Sequence, residues 1–206
     1  MVTAEIETPH GPARVHVDAA QTAHGALVLG HGAGGGITAR DLVTAIAAAR
    51  TRGFTGVLVE QPYRVAGKKA PPRAGALDAA WIAVVAGLRS RHLGDLPMVV
   101  GGRSSGARVA CRTAAATGAA GVLCLAFPLR PPRAEGREPA PSRLPELESV
   151  PVPILIVQGL RDPFGMPLAA PGRTLLQVDG DHSLRSEHAR IAAAVGAWLA
   201  TVIPPP

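Results

Sequence analysis

Aromatic residues are scarce in this 206-residue chain, which has two tryptophans, one tyrosine and three phenylalanines. Hydrophobic residues make up 47% of the sequence, and most of them are small aliphatic ones. The core must therefore be built by close packing of small side chains. Scarce aromatics also disfavour a reader of single-stranded nucleic acid, which needs aromatic rings on which bases stack. The length suits one domain spanning residues 1–206.

Cysteine is also rare, and Cys111 and Cys124 have no spacing typical of a disulfide framework or a metal site. Both lie in apolar segments, so we interpret them as buried free thiols, as expected in a reducing compartment. No apolar run approaches the length of a membrane span. Residues 1–12 lack the basic and apolar regions of a signal peptide. We therefore expect a cytoplasmic protein without a metal or a membrane partner.

Positive charge exceeds negative charge, with 21 Lys and Arg against 15 Asp and Glu and a formal net charge of +6. The basic residues are nearly all arginines, spread from Arg14 to Arg190 without interleaved aromatics. A basic patch typical of nucleic-acid binding is therefore not indicated, and we expect no nucleic-acid partner. The sequence leaves the oligomeric state open.

Strand-like and helix-like segments alternate along the chain. Strands are predicted at residues 4–7, 14–17, 26–30, 56–60, 98–101, 122–127, 154–158 and 174–178. Helices are predicted near residues 38–51, 75–91, 105–117 and 187–201, with a short one near 144–150. The first two strands alternate in polarity and are interpreted as edge strands, whereas apolar runs such as 26–30 are typical of buried parallel strands. This order predicts an α/β fold, a doubly wound and mostly parallel sheet of about eight strands with helices on both faces.

A Gly-x-Ser-x-Gly motif at residues 102–106 follows a predicted strand and opens a predicted helix. That is the context of a nucleophile elbow, a sharp turn that exposes a serine hydroxyl and tolerates only tiny residues two positions before and after it. Ser105 would be flanked instead by Arg103 and Ala107, so the pattern indicates Ser104 as the nucleophile. A serine that caps a helix N-terminus is the alternative interpretation.

An acid and then a histidine follow Ser104 in the chain, which is the order of the catalytic residues in enzymes with this kind of elbow. Asp162 comes just after the predicted strand at 154–158, and His182 just after the strand at 174–178. Since carboxyl ends of parallel strands meet at one edge of a sheet, we expect all three on the same rim. Asp179 and Asp181 are substitute acids, although their closeness in sequence to His182 makes them awkward partners for its ring.

The oxyanion of an acyl-transfer reaction needs backbone N–H donors. One is expected from Ser105, the residue after the nucleophile, and the other from the glycine-rich loop at residues 30–35. We assign the second donor to Ala33, with Gly34 as the alternative. His31 in this loop is interpreted as a structural residue rather than a second base.

The same loop also fits a dinucleotide-binding fingerprint, with Gly30, Gly32 and Gly35 between a strand and a helix and Glu60 at the end of the next strand. That interpretation leaves the serine, the aspartate and the histidine unexplained. We therefore expect no cofactor, and a nucleotide-binding oxidoreductase is the lesser alternative.

Together these motifs resemble the α/β-hydrolase superfamily, above all its small, lidless dienelactone-hydrolase-like branch, which includes the testis-expressed and NSL-complex hydrolase-like proteins. The resemblance rests on residues 30–35, 60–64, 101–108, 157–159, 161–165 and 180–183. It implies an esterase-like hydrolase without a cofactor, with Ser104, Asp162 and His182 as its triad. This sequence departs from the branch in two ways. Its nucleophile is serine where dienelactone hydrolases use cysteine, and residues 166–172 are too short and proline-rich for the usual helix there.

The expected function is hydrolysis of an ester or thioester bond in a small molecule through an acyl-enzyme. Arg64 and Lys68, in a basic loop on the expected rim, and Arg103, beside the nucleophile, are candidate ligands for a substrate carboxylate or phosphate. A solvated basic loop is the alternative. The proline-rich segment 128–153 is too short for a lid domain, which predicts an open site for short or compact acyl groups. Because the resembling branch also contains scaffold proteins, a catalytically silent interaction protein is the alternative function.

Overall fold

Eight strands form one sheet in the computed structural model, which describes residues 1–132, 136, 138 and 140–206. In chain order the strands are β1 (Val2–Ile6), β2 (Ala13–Asp18), β3 (Gly25–Gly30), β4 (Phe54–Glu60), β5 (Met98–Arg103), β6 (Gly121–Leu125), β7 (Ile154–Gly159) and β8 (Arg173–Val178). Their order across the sheet is β1-β2-β4-β3-β5-β6-β7-β8. The six strands from β4 to β8 in this order are parallel, and β1 and β2 are antiparallel to their neighbours. The predicted doubly wound, mostly parallel sheet is thereby confirmed.

The interpretation of the first two strands as edge strands is wrong for β2. This strand lies between β1 and β4, and Arg14 is aligned with Glu60 of β4. Its alternating burial arises because one face of β2 packs on the core while the other faces outward. The two edges of the sheet are β1 and β8.

The helices cover both faces of the sheet. They are α1 (Arg40–Arg50), α2 (Pro62–Val65), α3 (Ala74–Leu88, continued by a π-helical turn over Arg89–Leu93), α4 (Ser105–Thr117), α5 (Leu144–Glu148) and α6 (His188–Val202). Helices α1 and α6 pack together on one face, and α3, α4 and α5 pack on the other. Among the described residues, none of these helices is long and apolar enough to cross a membrane. Part of the predicted proline-rich loop, residues 133–135, 137 and 139, lies outside the described residues.

Helix α2 is absent from the sequence-based prediction. It has four residues and begins at Pro62, whose fixed φ suits the first position of a helix. Four residues are too few to show a helical period in the sequence.

The apolar core is divided by the sheet into two layers of small aliphatic side chains with few rings among them. Cys111 of α4 and Cys124 of β6 are both buried and unbonded, with their Sγ atoms 3.5 Å apart. The interpretation of both cysteines as buried free thiols is thus confirmed.

Candidate active site

Ser104 occupies the junction between β5 and α4 in a conformation that L-amino acids rarely adopt. Its φ is 53° and its ψ is −108°. The N–H of Ser104 donates to the Leu125 carbonyl at 2.9 Å, which fixes the turn against β6. A strained residue held at a strand-to-helix turn is the local structure of a nucleophile elbow.

The two glycines of the motif are required by packing against β3. A Cβ atom added to Gly102 or to Gly106 would collide with the carbonyl oxygen of Gly30. These atoms belong to the backbone and cannot swing aside. The glycine-rich end of β3 is therefore pressed directly against the elbow.

A continuous chain of hydrogen bonds joins Ser104, His182 and Asp162. The Ser104 Oγ lies 2.9 Å from Nε2 of His182, and Nδ1 of His182 lies 2.8 Å from Oδ2 of Asp162. A carboxylate can only accept, so Nδ1 carries the proton and Nε2 is the acceptor for the serine hydroxyl. This is the arrangement in which a histidine can take the proton of a serine nucleophile.

The substitute acids point elsewhere. Asp179 pairs with Arg161 at 2.5 Å, and Oδ1 of Asp181 accepts the backbone N–H of Ser183 at 2.8 Å. The structure thus brings only Asp162, among the three candidate acids, to the ring of His182.

Asp162 is held by a buried glutamine that the sequence analysis did not single out. The Nε2 of Gln158 donates to Oδ2 of Asp162 at 2.8 Å, and the N–H of Phe164 donates to Oδ1 at 2.9 Å. The same Gln158 amide also faces the carbonyls of Phe127, at 3.1 Å, and Gly165, at 2.9 Å. The sequence signal that could have identified Gln158 is a glutamine within an otherwise apolar predicted strand.

The segment between β7 and β8 crosses over without a helix. Residues 160–172 contain turns, irregular structure and one isolated bridge from Ala170 to Arg173, but no helix, although the two strands are parallel. The shortened connection predicted from residues 166–172 is therefore present. Asp162 nevertheless reaches His182, because Gln158 and the backbone of Phe164 fix its carboxylate.

The glycine-rich loop after β3 passes close to Ser104. A Cβ atom at Gly32 would lie 3.6 Å from the Cβ of Ser104. The hydroxyl of Tyr63 donates to the Ala33 carbonyl at 2.9 Å and so anchors this loop to α2. Within the described residues, the N–H groups of Ala33 and Ser105 donate to no protein acceptor.

His31 is a structural residue of this loop. Its Nε2 accepts the backbone N–H of Gln61 at 3.1 Å, so its Nδ1 donates to the Gly32 carbonyl at 2.8 Å. Burial lowers the pKa of His31. Both ring nitrogens are occupied, in agreement with the sequence-based interpretation.

The three predicted anion-binding residues do not form one cluster. Lys68 lines a cleft of about 350 Å³ between α2 and α3, and Nη1 of Arg64 lies 3.4 Å from the Lys68 carbonyl. Arg103 lines a different cleft, of about 570 Å³, beside the start of α1. Its guanidinium contacts Asp41 and the carbonyl of His182, both at 2.9 Å.

The acidic residue that a dinucleotide-binding site would use already has a partner in the protein, and the described residues offer no cluster for a metal ion. Glu60, which the dinucleotide fingerprint would assign to a ribose, lies 2.7 Å from Nε2 of His16. In the part of the chain that the structure describes, no three His, Cys, Asp or Glu side chains are grouped so that they could hold a metal ion.

The fold and the site together define an α/β domain with a serine–histidine–aspartate arrangement on the rim of its sheet. A family model described as "Alpha/beta hydrolase domain" matches residues 23–193. The chain therefore belongs to the α/β-hydrolase family.

Solved structures share this fold at low sequence identity. The lidless α/β serine hydrolase XC6422 from Xanthomonas campestris matches with a TM-score of 0.75 at 20% identity, over 100% of this chain and 96% of that one. The esterase Pf2001 from Pyrococcus furiosus matches with a TM-score of 0.77 at 14% identity, over 97% and 91% of the two chains. A dienelactone hydrolase from Anabaena variabilis matches with a TM-score of 0.71 at 14% identity, over 97% and 96%. No curated protein matches the sequence.

Proposed function

We propose that this protein is a serine hydrolase that cleaves an ester or thioester bond of a small molecule through an acyl-enzyme. The observation that supports this most is the pair of hydrogen bonds from Ser104 to His182 and from His182 to Asp162. Each residue follows a different strand, so no local turn explains why the three meet. The strained φ of Ser104 adds support, since strain of this kind concentrates at functional positions.

In the proposed reaction, Ser104 Oγ attacks the substrate carbonyl carbon while its proton passes to Nε2 of His182. Asp162 accepts the Nδ1–H bond and stabilises the imidazolium that forms. The tetrahedral intermediate then expels the alcohol or thiol, which takes the proton from His182. Water then attacks the resulting acyl-enzyme while His182 takes its proton. The acid is released, and His182 returns the proton to Ser104.

The backbone N–H groups of Ala33 and Ser105 are the proposed oxyanion donors. Three features support them: they have no protein acceptor in the described residues, Ser105 follows Ser104 while Gly32, next to Ala33, lies against it, and the Tyr63 bond to the Ala33 carbonyl anchors the loop. Donors preorganised in this way stabilise the charge that develops on the carbonyl oxygen.

The test is covalent labelling of the purified protein by a fluorophosphonate, together with turnover of phenyl acetate. We expect labelling of the wild type, none of Ser104→Ala, and a loss of turnover on the order of 10⁶-fold in that variant. A folded wild-type protein that neither labels nor hydrolyses esters contradicts the proposal. That outcome favours the catalytically silent interaction protein, and tight binding of NAD(H) would favour the oxidoreductase.

We propose further that the substrate is compact and carries a carboxylate or phosphate held by Arg64 and Lys68. Both belong to the segment that follows β4, and Lys68 lines a cleft beside Tyr63, the residue that anchors Ala33. A cytoplasmic location is part of the same proposal and is supported by the unbonded thiols of Cys111 and Cys124.

The charge preference is tested with 3-acetoxybenzoate and 3-acetoxybenzamide, which carry the same acetyl ester and differ in charge at a group away from it. We expect the anion to have the higher kcat/KM, and Arg64→Gln and Lys68→Gln to reduce this preference by about 5- to 10-fold, which corresponds to one charge-assisted contact each. Equal kcat/KM for both esters in the wild type contradicts the charge proposal and leaves the hydrolase proposal intact.

A further inference from the structure

Arg103, the residue just before Ser104, contacts the peptide group of His182. Its Nη2 donates to the His182 carbonyl at 2.9 Å, while Ser104 Oγ contacts Nε2 of the same histidine at 2.9 Å. Two consecutive residues therefore hold opposite ends of one histidine, and their contacts close a ring. We infer that Arg103 is a positioning residue that fixes His182 relative to Ser104; the inference rests on the proposed hydrolase function.

The guanidinium of Arg103 is itself held by Asp41 in the first turn of α1. Its Nε lies 2.9 Å from Oδ2 of Asp41, and Oδ1 of Asp41 accepts the Leu42 N–H at 3.0 Å. Asp41 is 1% exposed and the Arg103 side chain 18%. Burial raises the pKa of Asp41, and the charge of Arg103 opposes that rise. Because the Asp41 carboxylate is almost fully buried, it needs the charge of Arg103 beside it, so the pair keeps the arginine in one orientation.

The segment that carries His182 depends on such contacts. Residues 179–187 form neither helix nor strand, and Leu184 and Glu187 have φ values of 46° and 54°. These left-handed conformations are unfavourable for such residues and persist only when neighbouring structure imposes them. On the β7 side the Arg161 N–H donates to the Gly180 carbonyl at 2.9 Å. Arg103 supplies the matching contact on the side of the nucleophile.

The same contacts give Arg103 a role different from the one expected from the sequence. Its Nε lies beside the buried carboxylate of Asp41 and its Nη2 donates to His182, so its charge already has a partner in the protein. A substrate anion would have to compete with a buried carboxylate for this guanidinium. Loss of Arg103 should therefore affect neutral and anionic esters equally, whereas loss of a substrate ligand would affect only the anion.

The experiment compares wild type, Arg103→Met and Arg103→Lys on 3-acetoxybenzoate and 3-acetoxybenzamide. We expect Arg103→Met to lower kcat about 10- to 100-fold for both esters with KM changed by less than about threefold, because a misplaced base costs turnover rather than binding. Arg103→Lys keeps the charge and one donor and should recover part of the loss. An unchanged kcat, or a loss confined to the anionic ester, overturns the inference.

Two control variants separate the positioning of His182 by Arg103 from an effect of Arg103 on the stability of the whole protein. Arg103→Met alone leaves Asp41 buried without a counter-charge, so the double variant Asp41→Asn/Arg103→Met removes that cost and should stay folded with the same loss of kcat. Arg112→Met breaks an ion pair between α4 and α3, from Arg112 to Asp78 at 2.6 Å, and a longer contact to Glu146 at 3.4 Å; the Arg112 side chain is 19% exposed. It should lower the unfolding temperature without changing kcat. A double variant that recovers wild-type kcat contradicts the inference.

A readout without turnover keeps this inference distinct from the proposed function. The Nδ1–H proton of His182, bonded to Asp162, should give a low-field proton NMR signal that is absent in His182→Gln. In Asp41→Asn/Arg103→Met we expect that signal to broaden through exchange with water. An unchanged signal overturns the inference. If the wild type hydrolyses no ester but the signal broadens as expected, the proposed function fails and the positioning role stands.

Discussion

Ser104, the proposed nucleophile, and its two partners are held in place by different kinds of contact. At the elbow, backbone packs on backbone, because Gly102 and Gly106 leave no room for a Cβ against the carbonyl of Gly30. Asp162 is instead held by hydrogen bonds from the Gln158 side chain and the Phe164 N–H, and His182 by hydrogen bonds with Asp162 and Arg103. Close backbone packing admits only glycine and so produces a recognisable motif, whereas a side-chain hydrogen bond can come from several residue types and leaves no comparable motif.

The second arrangement spans long distances in the sequence. The hydrogen bond from Arg103 to His182 joins residues 79 positions apart, and the Gln158 amide contacts the Phe127 carbonyl 31 positions away. Each of these bonds is replaceable in principle by another donor. The backbone packing at the elbow has no such substitute, so substitutions there should cost more.

Gly106→Ala is the strongest test of the comparison. Alanine is the better helix former by about 1 kcal/mol, but its Cβ would collide with the Gly30 carbonyl oxygen and lie 2.7 Å from the carbonyl carbon. We expect the collision to dominate and the free energy of unfolding to fall by about 3 kcal/mol. Urea denaturation measures this change.

Gly75→Ala is the matched control, since Gly75 is also helical and has open space where a Cβ would lie. It should be stabilising by about 0.5–1 kcal/mol. Equal effects of the two substitutions would show that the elbow is not sterically closed.

Gln158→Met tests the side-chain hydrogen bonds that hold Asp162. The variant removes the donor shared by Asp162, Phe127 and Gly165 while keeping a similar volume. We expect kcat to fall about 10- to 100-fold and the free energy of unfolding to fall by about 1–3 kcal/mol, because a buried carboxylate loses a partner. Thr113→Val, which removes a buried hydroxyl that donates to the Val109 carbonyl within α4, should leave kcat unchanged. A normal kcat in Gln158→Met would mean that Phe164 alone holds the acid.

His31→Gln gives the smallest expected effect and tests the loop beside the elbow. Burial lowers the pKa of His31, so below its ordinary value of 6.5 the unfolded chain takes up a proton that the folded chain does not. Folding stability is therefore lost as the pH falls from 6.5 towards the folded pKa, by at most about 1.4 kcal/mol per pH unit for one proton. Urea denaturation from pH 7.5 to 5 should show a shallower decline in the variant. Identical slopes would mean that His31 is accessible to protons when folded.

Much of the fold follows from the sequence because parallel strands buried on both faces are continuous apolar runs. The predicted bounds agree with those of the observed strands to within one residue for β3, predicted at 26–30, and for β7, predicted at 154–158. The rule that ligand sites lie at the carboxyl ends of such strands then brings Ser104, Asp162 and His182 to one rim.

What the sequence does not provide is the set of cross-links between elements. The burial of Asp41, the amide of Gln158 and the orientation of Arg103 depend on which helix packs beside which strand. The position of β2 inside the sheet likewise depends on pairing with β4, since alternation alone is shared by edge strands and by strands with one solvated face.

β8 pairs with a neighbour on one side only, and most of its residues are partly exposed. Edge strands of this kind open locally at a lower free-energy cost than central strands. Opening of β8 would release His182 while Ser104 stays in place at the end of β5, a central strand. We therefore expect amide exchange to be faster in β8 than in β5, and mild denaturant to abolish activity before the chain unfolds.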